Sequence, residues 1–250
     1  MEQYSILAKY YDALMSDVDY GAFADFYEKC FEKYGAHVNN ICDMGCGTGT
    51  LSVLLSKRGY NVLGVDISSE MLALAQKKAD DAGEKALFVC QNMTCLDTGT
   101  PCDAAVCSLD GINYLTQSGD VDACFGSVAN TLCDDGMFIF DVGTPYKYKN
   151  VLGNNSFVYE LDGMFLSWQS FYNDKSKICD YVLTFFAKDK SLWHRLDEYQ
   201  RQRAYSLGIL ERKLKNAGFE VLGKFGNTDF TPINPESERC FFVCRKAKDE

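Results

Sequence analysis

Asp43 stands two positions before the first of three alternating glycines, Gly45, Gly47 and Gly49. Ile41 and Cys42 lead in as an apolar entry, and Leu51, Val53, Leu54 and Leu55 follow at helical spacing. The pattern predicts a buried strand, a glycine-rich turn and a helix, which together form a ligand cradle at the carboxyl edge of a parallel sheet. Glycine lets the backbone turn tightly and lets a ligand lie against it. The dinucleotide fingerprint G-x-G-x-x-G wants its third glycine at position 50. This chain has Thr50 there, and the third glycine arrives one residue early. The Asp43 carboxylate would also repel a pyrophosphate placed beside it. It, or a water bound to it, can instead hold an ammonium group.

The elements that position this loop belong to a chain of 250 residues, enough for one large domain or a domain with an insertion. No stretch approaches the roughly 20 apolar residues that span a bilayer. The opening Met1-Glu2-Gln3-Tyr4-Ser5 lacks the pattern of a signal peptide. Twelve cysteines are present, several of them in predicted strands (Cys42, Cys90, Cys107, Cys240, Cys244), but no C-x-x-C and only two histidines, His37 and His194. That argues against a zinc site or a disulfide framework, and for reduced thiols in a cytoplasmic protein. The formal charge of −10 disfavours a nucleic-acid backbone as partner, and the basic cluster from Arg195 to Arg203 is interrupted by Asp197 and Glu198.

Apolar spacing predicts helices over 4–15 and 20–34. Strands and helices then alternate: strand 40–44, helix 49–58 ended by Gly59, strand 61–67, helix 69–82 capped by Ser68 and stopped near Gly83, strands 86–91 and 104–109, helix 119–133, strand 137–142. From Thr144 to Tyr205 helical spacing gives way to aromatic and β-branched segments at 156–161, 164–172, 178–187 and 192–203, separated by turn residues. A helix at 206–216 and strands at 220–226 and 239–245 follow. The reading is an α/β fold: a doubly wound, seven-stranded, mostly parallel, Rossmann-like sheet built from 1–143 and 206–250, with 144–205 an inserted antiparallel β-sheet subdomain over the substrate site.

With this order in place, the motif acid-x-G-x-G-x-G and most of the chain resemble the class I S-adenosylmethionine-dependent methyltransferases. The chain looks closest to small-molecule enzymes with a sheet inserted after strand five: sugar N,N-dimethyltransferases, glycine/sarcosine-type N-methyltransferases, and small bacterial methyltransferases whose openings resemble Tyr10-Tyr11-Asp12-Ala13-Leu14-Met15. The resemblance implies S-adenosyl-L-methionine as cofactor, held by Asp43, Gly45, Cys46, Gly47 and Gly49. It implies that Asp66 accepts from both ribose hydroxyls; the competing reading is a helix-terminal acid. Ile67 and Met71 would flank the adenine. The family's acid-apolar pair after strand three is here Asn92-Met93, so an uncharged oxygen would meet the adenine amino group. Tyr11, with Tyr4, Tyr10 and Tyr20 as competitors, would fold over the cofactor as a lid, or simply pack.

In this fold the end of strand four faces the transferred methyl. The resemblance therefore puts Leu109 beside the cofactor, Asp110 and Tyr114 in catalytic positions and Asn113 against substrate; the ordinary alternatives are a cap, a core ring and a turn. Trp168 and His194 of the insert would line the substrate pocket, His194 as a further candidate base. No metal is implied. The implied function is methyl transfer by direct in-line displacement to a nitrogen or oxygen of a small molecule, with no membrane or nucleic-acid partner and a homodimer as candidate assembly. Two readings compete with it: an RNA or protein methyltransferase, and a cofactor-binding module without turnover.

Overall fold

The computed structural model describes residues 7–247, so Tyr4 lies outside the described residues. Two helices open the chain, α1 (Leu7–Leu14) and α2 (Tyr20–Lys33); Asp19 caps α2 by accepting from the Ala22 amide. Then come β1 (Asn40–Met44), α3 (Thr50–Lys57), β2 (Asn61–Asp66), α4 (Ser69–Ala82), β3 (Leu87–Cys90), β4 (Cys102–Cys107), a 3₁₀ turn over Gly111–Tyr114, α5 (Asp120–Thr131) and β5 (Leu132–Gly143). After the second sheet the chain returns through α6 (Leu207–Asn216), β10 (Phe219–Phe225) and β11 (Arg239–Lys246). Ser68 caps α4 at the Met71 amide and Gly83 ends it in the left-handed region, as their residue types require.

The seven strands lie in the order β10-β11-β5-β4-β1-β2-β3, all parallel except β11, which runs antiparallel to both neighbours. Strands buried on both faces need apolar residues on both faces. One face of the sheet packs Phe138, Phe140 and Phe242 against Phe125 of α5 and Leu210 and Leu214 of α6. The other packs Ile41, Val106, Ile139 and Phe241 against Phe23, Phe26 and Tyr27 of α2 and Leu55 of α3. The order reverses between β1 and β4, and the crevice at that switch point is where such a sheet binds its ligand.

Between β5 and α6 lies a separate four-stranded antiparallel sheet, β6 (Ser156–Leu161), β7 (Met164–Asn173), β8 (Ile178–Asp189) and β9 (Leu192–Arg203). Its inner face forms a third cluster with Tyr148, Leu166, Tyr181 and Phe185, against which Tyr10, Tyr11 and Leu14 of α1 pack. Two expectations need correction. A six-residue π-helical segment, Lys147–Leu152, precedes the sheet; it is too short to show periodicity in sequence. β4 stops at Cys107 rather than 109, because Leu109 and Asp110 both turn into the left-handed region, at φ 59° and 65°. Among the described residues no helix is long and apolar enough to cross a membrane.

Candidate active site

The glycine loop runs from β1 into α3 with Gly45, Gly47 and Gly49 all at positive φ. Gly47 and Gly45 line a cavity of about 290 Å³ together with Asp43, Cys46, Asp66, Ile67, Met71, Asn92, Met93, Leu109, Tyr11 and Tyr20. Gly49 does not line it. A Cβ at Gly49 would lie 2.7 Å from Ala75 Cβ, so this glycine lets α4 close against the loop rather than touching a ligand. Asp43 is buried and accepts a 2.5 Å bond from Ser52 Oγ. Burial pushes its carboxyl up to about 7, the Ser52 bond opposing the shift. Asp66 Oδ2 accepts from the Gly47 amide (2.8 Å) and Oδ1 from the Ser68 amide (2.9 Å). Each carboxylate oxygen has a second lone pair for a ligand hydroxyl. Ile67, 60 % exposed, and buried Met71 give this cavity apolar lining.

Helix α1 contributes Tyr11 to this cavity. Asp12 ties the helix down: Thr48 Oγ1 donates to Asp12 Oδ1 (2.5 Å) and Lys78 Nζ pairs with Oδ2 (2.9 Å). Tyr20 also lines the cavity, whereas Tyr10 stacks on Phe185 of the inserted sheet and does not.

A second cavity, again about 290 Å³, lies under the inserted sheet. It shares Tyr11, Leu109 and Tyr114 with the first, so the two meet at the turn after β4. Asp141 Oδ1 accepts from the Leu109 amide (2.8 Å) and Oδ2 from the Asp110 amide (3.0 Å). A left-handed leucine is strained, and this fully buried carboxylate over-determines the turn. Arg239 pairs with Asp141 and lies 3.2 Å from Asp110 Oδ1; Lys147 pairs with Asp110 Oδ2. Tyr114 donates to Gln200 Oε1 at 2.9 Å. Trp168 forms part of the wall, edge-on to Tyr181 with ring centroids 5.4 Å apart.

Four sequence-based roles do not fit this geometry. Asn113 is fully buried and lines neither cavity; its amide donates to Gly143 O and Arg203 O and its oxygen accepts from Gly143 N, fastening the root of the insert. His194 is exposed on β9, opposite Ala187, and lines neither cavity. Asp110 is held below the usual carboxylate range: burial alone would raise it, but Arg239 and Lys147 outweigh burial. A carboxylate so paired has little proton affinity and makes a poor general base. Asn92 lines the first cavity, but its Oδ1 already accepts from the amide and hydroxyl of Thr94.

Lys147, Asp141, Arg239, Gln200 and Gln202 were missed. Asp141 did leave a signal, as an acid inside the apolar run Met137–Val142. Gln200 and Gln202 continue the inward parity of Leu196 along β9. Lys147 and Arg239 left none, since long-range pairing alone brings them together.

The chain is similar to known methyltransferases. The methyltransferase-domain family matches residues 41–136. A protein of Geobacillus sp. (strain WCH70) is 35 % identical over 97 % of this chain and 99 % of its own length. YqeM of Bacillus subtilis (strain 168) is 33 % identical over 98 % of each. Both carry names that provisionally assign a methyltransferase. The crystal structure of an S-adenosylmethionine-dependent methyltransferase from Clostridium acetobutylicum ATCC 824 superposes with a TM-score of 0.88 at 31 % identity, over 96 % of this chain and 97 % of that one. KedS8, a sugar N-methyltransferase from Streptoalloteichus sp. ATCC 53650, shares the fold at a TM-score of 0.77 and 20 % identity, over 95 % and 93 %.

The chain belongs to the S-adenosylmethionine-dependent methyltransferases. Its cofactor is S-adenosylmethionine, and the first cavity fits that group, with positive-φ glycines, a carboxylate at the end of β2 and apolar lining.

Proposed function

We propose that this methyltransferase acts on a nitrogen or oxygen of a small molecule held in the second cavity. The observation that carries the reading is the meeting of two cavities at Tyr11, Leu109 and Tyr114. Asp43 faces the amino-acid end of the cofactor, Asp66 the ribose, and Ile67 and Met71 the base. S-adenosylmethionine held in the first cavity would supply a sulfonium methyl for direct in-line displacement, the methyl–sulfur bond breaking as the bond to the acceptor nitrogen or oxygen forms. The chain's own work is to align the acceptor atom and exclude water. Leu109 and Tyr11 form the apolar collar between the cavities, and the Tyr114 hydroxyl orients the acceptor. Segment 144–205 acts as a subdomain roofing that cavity. Twelve free cysteines support a reducing, cytoplasmic setting.

The test is transfer of labelled methyl into a cell extract. Label in the small-molecule fraction supports the reading. Label in RNA or protein replaces it with a macromolecular acceptor. Cofactor binding without transfer leaves a binding module.

A further inference from the structure

The second cavity presents its visitor with two cationic side chains, Lys147 and Arg239. Gln200 Oε1 already accepts from Tyr114, and Gln202 Oε1 accepts from Tyr148 (2.8 Å) and Tyr181 (2.9 Å). The Gln200 amide nitrogen is turned away to Glu198, 2.7 Å distant. Asp110 is engaged by Lys147 and Arg239, and its side chain is 9 % exposed; Asp141 behind it is 0 % exposed. The two cations keep more surface, 18 % for Lys147 and 25 % for Arg239, and both line the cavity. An ammonium has three donors, and Lys147 Nζ gives one of them to Asp110. The four charges sum to zero, yet the cations are more exposed than the carboxylates.

Another part of the lining is apolar and aromatic. Tyr159, Trp168 and Tyr181 stand in a row, Trp168 stacked on Tyr159 at 26° and edge-on to Tyr181 at 87°. Leu14, Leu152 and Leu166 fill the gaps. A ligand matching both parts of the lining has an unsaturated or ring-shaped body and an oxyanion.

We propose that the methyl acceptor carries a carboxylate or phosphate that seats on Lys147 and Arg239, its body lying along Trp168. This rests on the reading of the second cavity as the acceptor site. An amine-bearing acceptor without an anion is disfavoured, because Lys147 and Arg239 already offset the Asp110 charge.

Binding can be read without knowing the acceptor. The chain has two tryptophans, Trp168 and the exposed Trp193, so Trp193→Phe leaves Trp168 as the sole indole reporter. With S-adenosylhomocysteine present, fluorescence titration should show 4-hydroxybenzoate or phenyl phosphate binding at least about tenfold tighter than 4-hydroxybenzamide or benzylamine, the scale of one charge-assisted bond. Tighter binding of the phosphate than the carboxylate, or the reverse, distinguishes the two oxyanions. Lys147→Met should erase the preference and Lys147→Arg should keep it, with S-adenosylhomocysteine affinity within about twofold in both as the check on folding. Equal binding of the amide, preference for the amine, no response to any probe, or indifference to Lys147→Met would each overturn the proposal. Label reaching a small molecule while the anion preference is absent would leave the proposed function standing and remove only this inference.

Discussion

Burial holds the Asp43 carboxyl up to about 7, so the folded chain keeps a proton that the unfolded chain gives up between roughly pH 4 and 7. Stability of the cofactor-free protein should therefore fall as pH rises through that window. A cofactor ammonium favours the charged carboxylate, so binding below pH 7 releases a proton and weakens as pH drops. Calorimetry in buffers of unlike ionisation enthalpy reads this, and Asp43→Asn should abolish the release; an affinity flat from about pH 6 to 8 in the parent would refute the assignment. Asp66 does two jobs, since its oxygens also hold the Gly47 and Ser68 amides. Asp66→Ala should cost about 1–3 kcal/mol of fold stability as well as about 2–4 kcal/mol of cofactor affinity, seen by urea unfolding and calorimetry. Tyr114→Phe frees Gln200 and removes one hydroxyl. Methyl transfer should slow about tenfold, the scale of a positioning contact, with cofactor affinity within about twofold; a loss above about a hundredfold would make the hydroxyl a base instead.

At the scale of elements, the loop and α4 are one unit. Gly49→Ala would force an alanine into positive φ and drive its Cβ onto Ala75, at a cost of about 2–4 kcal/mol in urea unfolding. A tolerated substitution would mean that α4 can slide. The strands and helices around this loop were legible because each carries its own signal: period 3.6 in α4, Ser68 and Gly83 at its ends, turn residues between the four strands of the insert. The residues lining the first cavity inherit that legibility, since many of them hang on strand ends. The acceptor cavity was less legible. His194 and Trp168 sit on neighbouring hairpins with similar alternation, and sequence does not say which end of a strand overhangs the site; strand pairing and twist decide it. Asn113 looked like a ligand residue because an amide near a strand end suits either role, and only the Gly143 and Arg203 carbonyls reveal which.

Across the whole molecule, α1 touches both halves of the site: Asp12 binds the glycine loop and Tyr10 stacks on the inserted sheet. Cofactor binding should then stiffen the insert as well as the loop. Hydrogen exchange with and without S-adenosylhomocysteine should show added protection over 7–18 and 156–203; protection confined to 43–50 would show that the halves respond independently. The charge cluster under the turn has a different reach. Arg239 meets Asp141 across 98 positions of chain and Asp110 across 129. Closing loops of that length is entropically costly, so these pairs form late in folding. Until β11 has zipped onto β5, the strained Leu109–Asp110 turn has a carboxylate clamp without its Arg239 counter-ion, and Lys147 alone offsets the two acids. Refolding should therefore restore cofactor binding, built on β1 and β2, ahead of methyl transfer, and the lag between them times the arrival of the last strand.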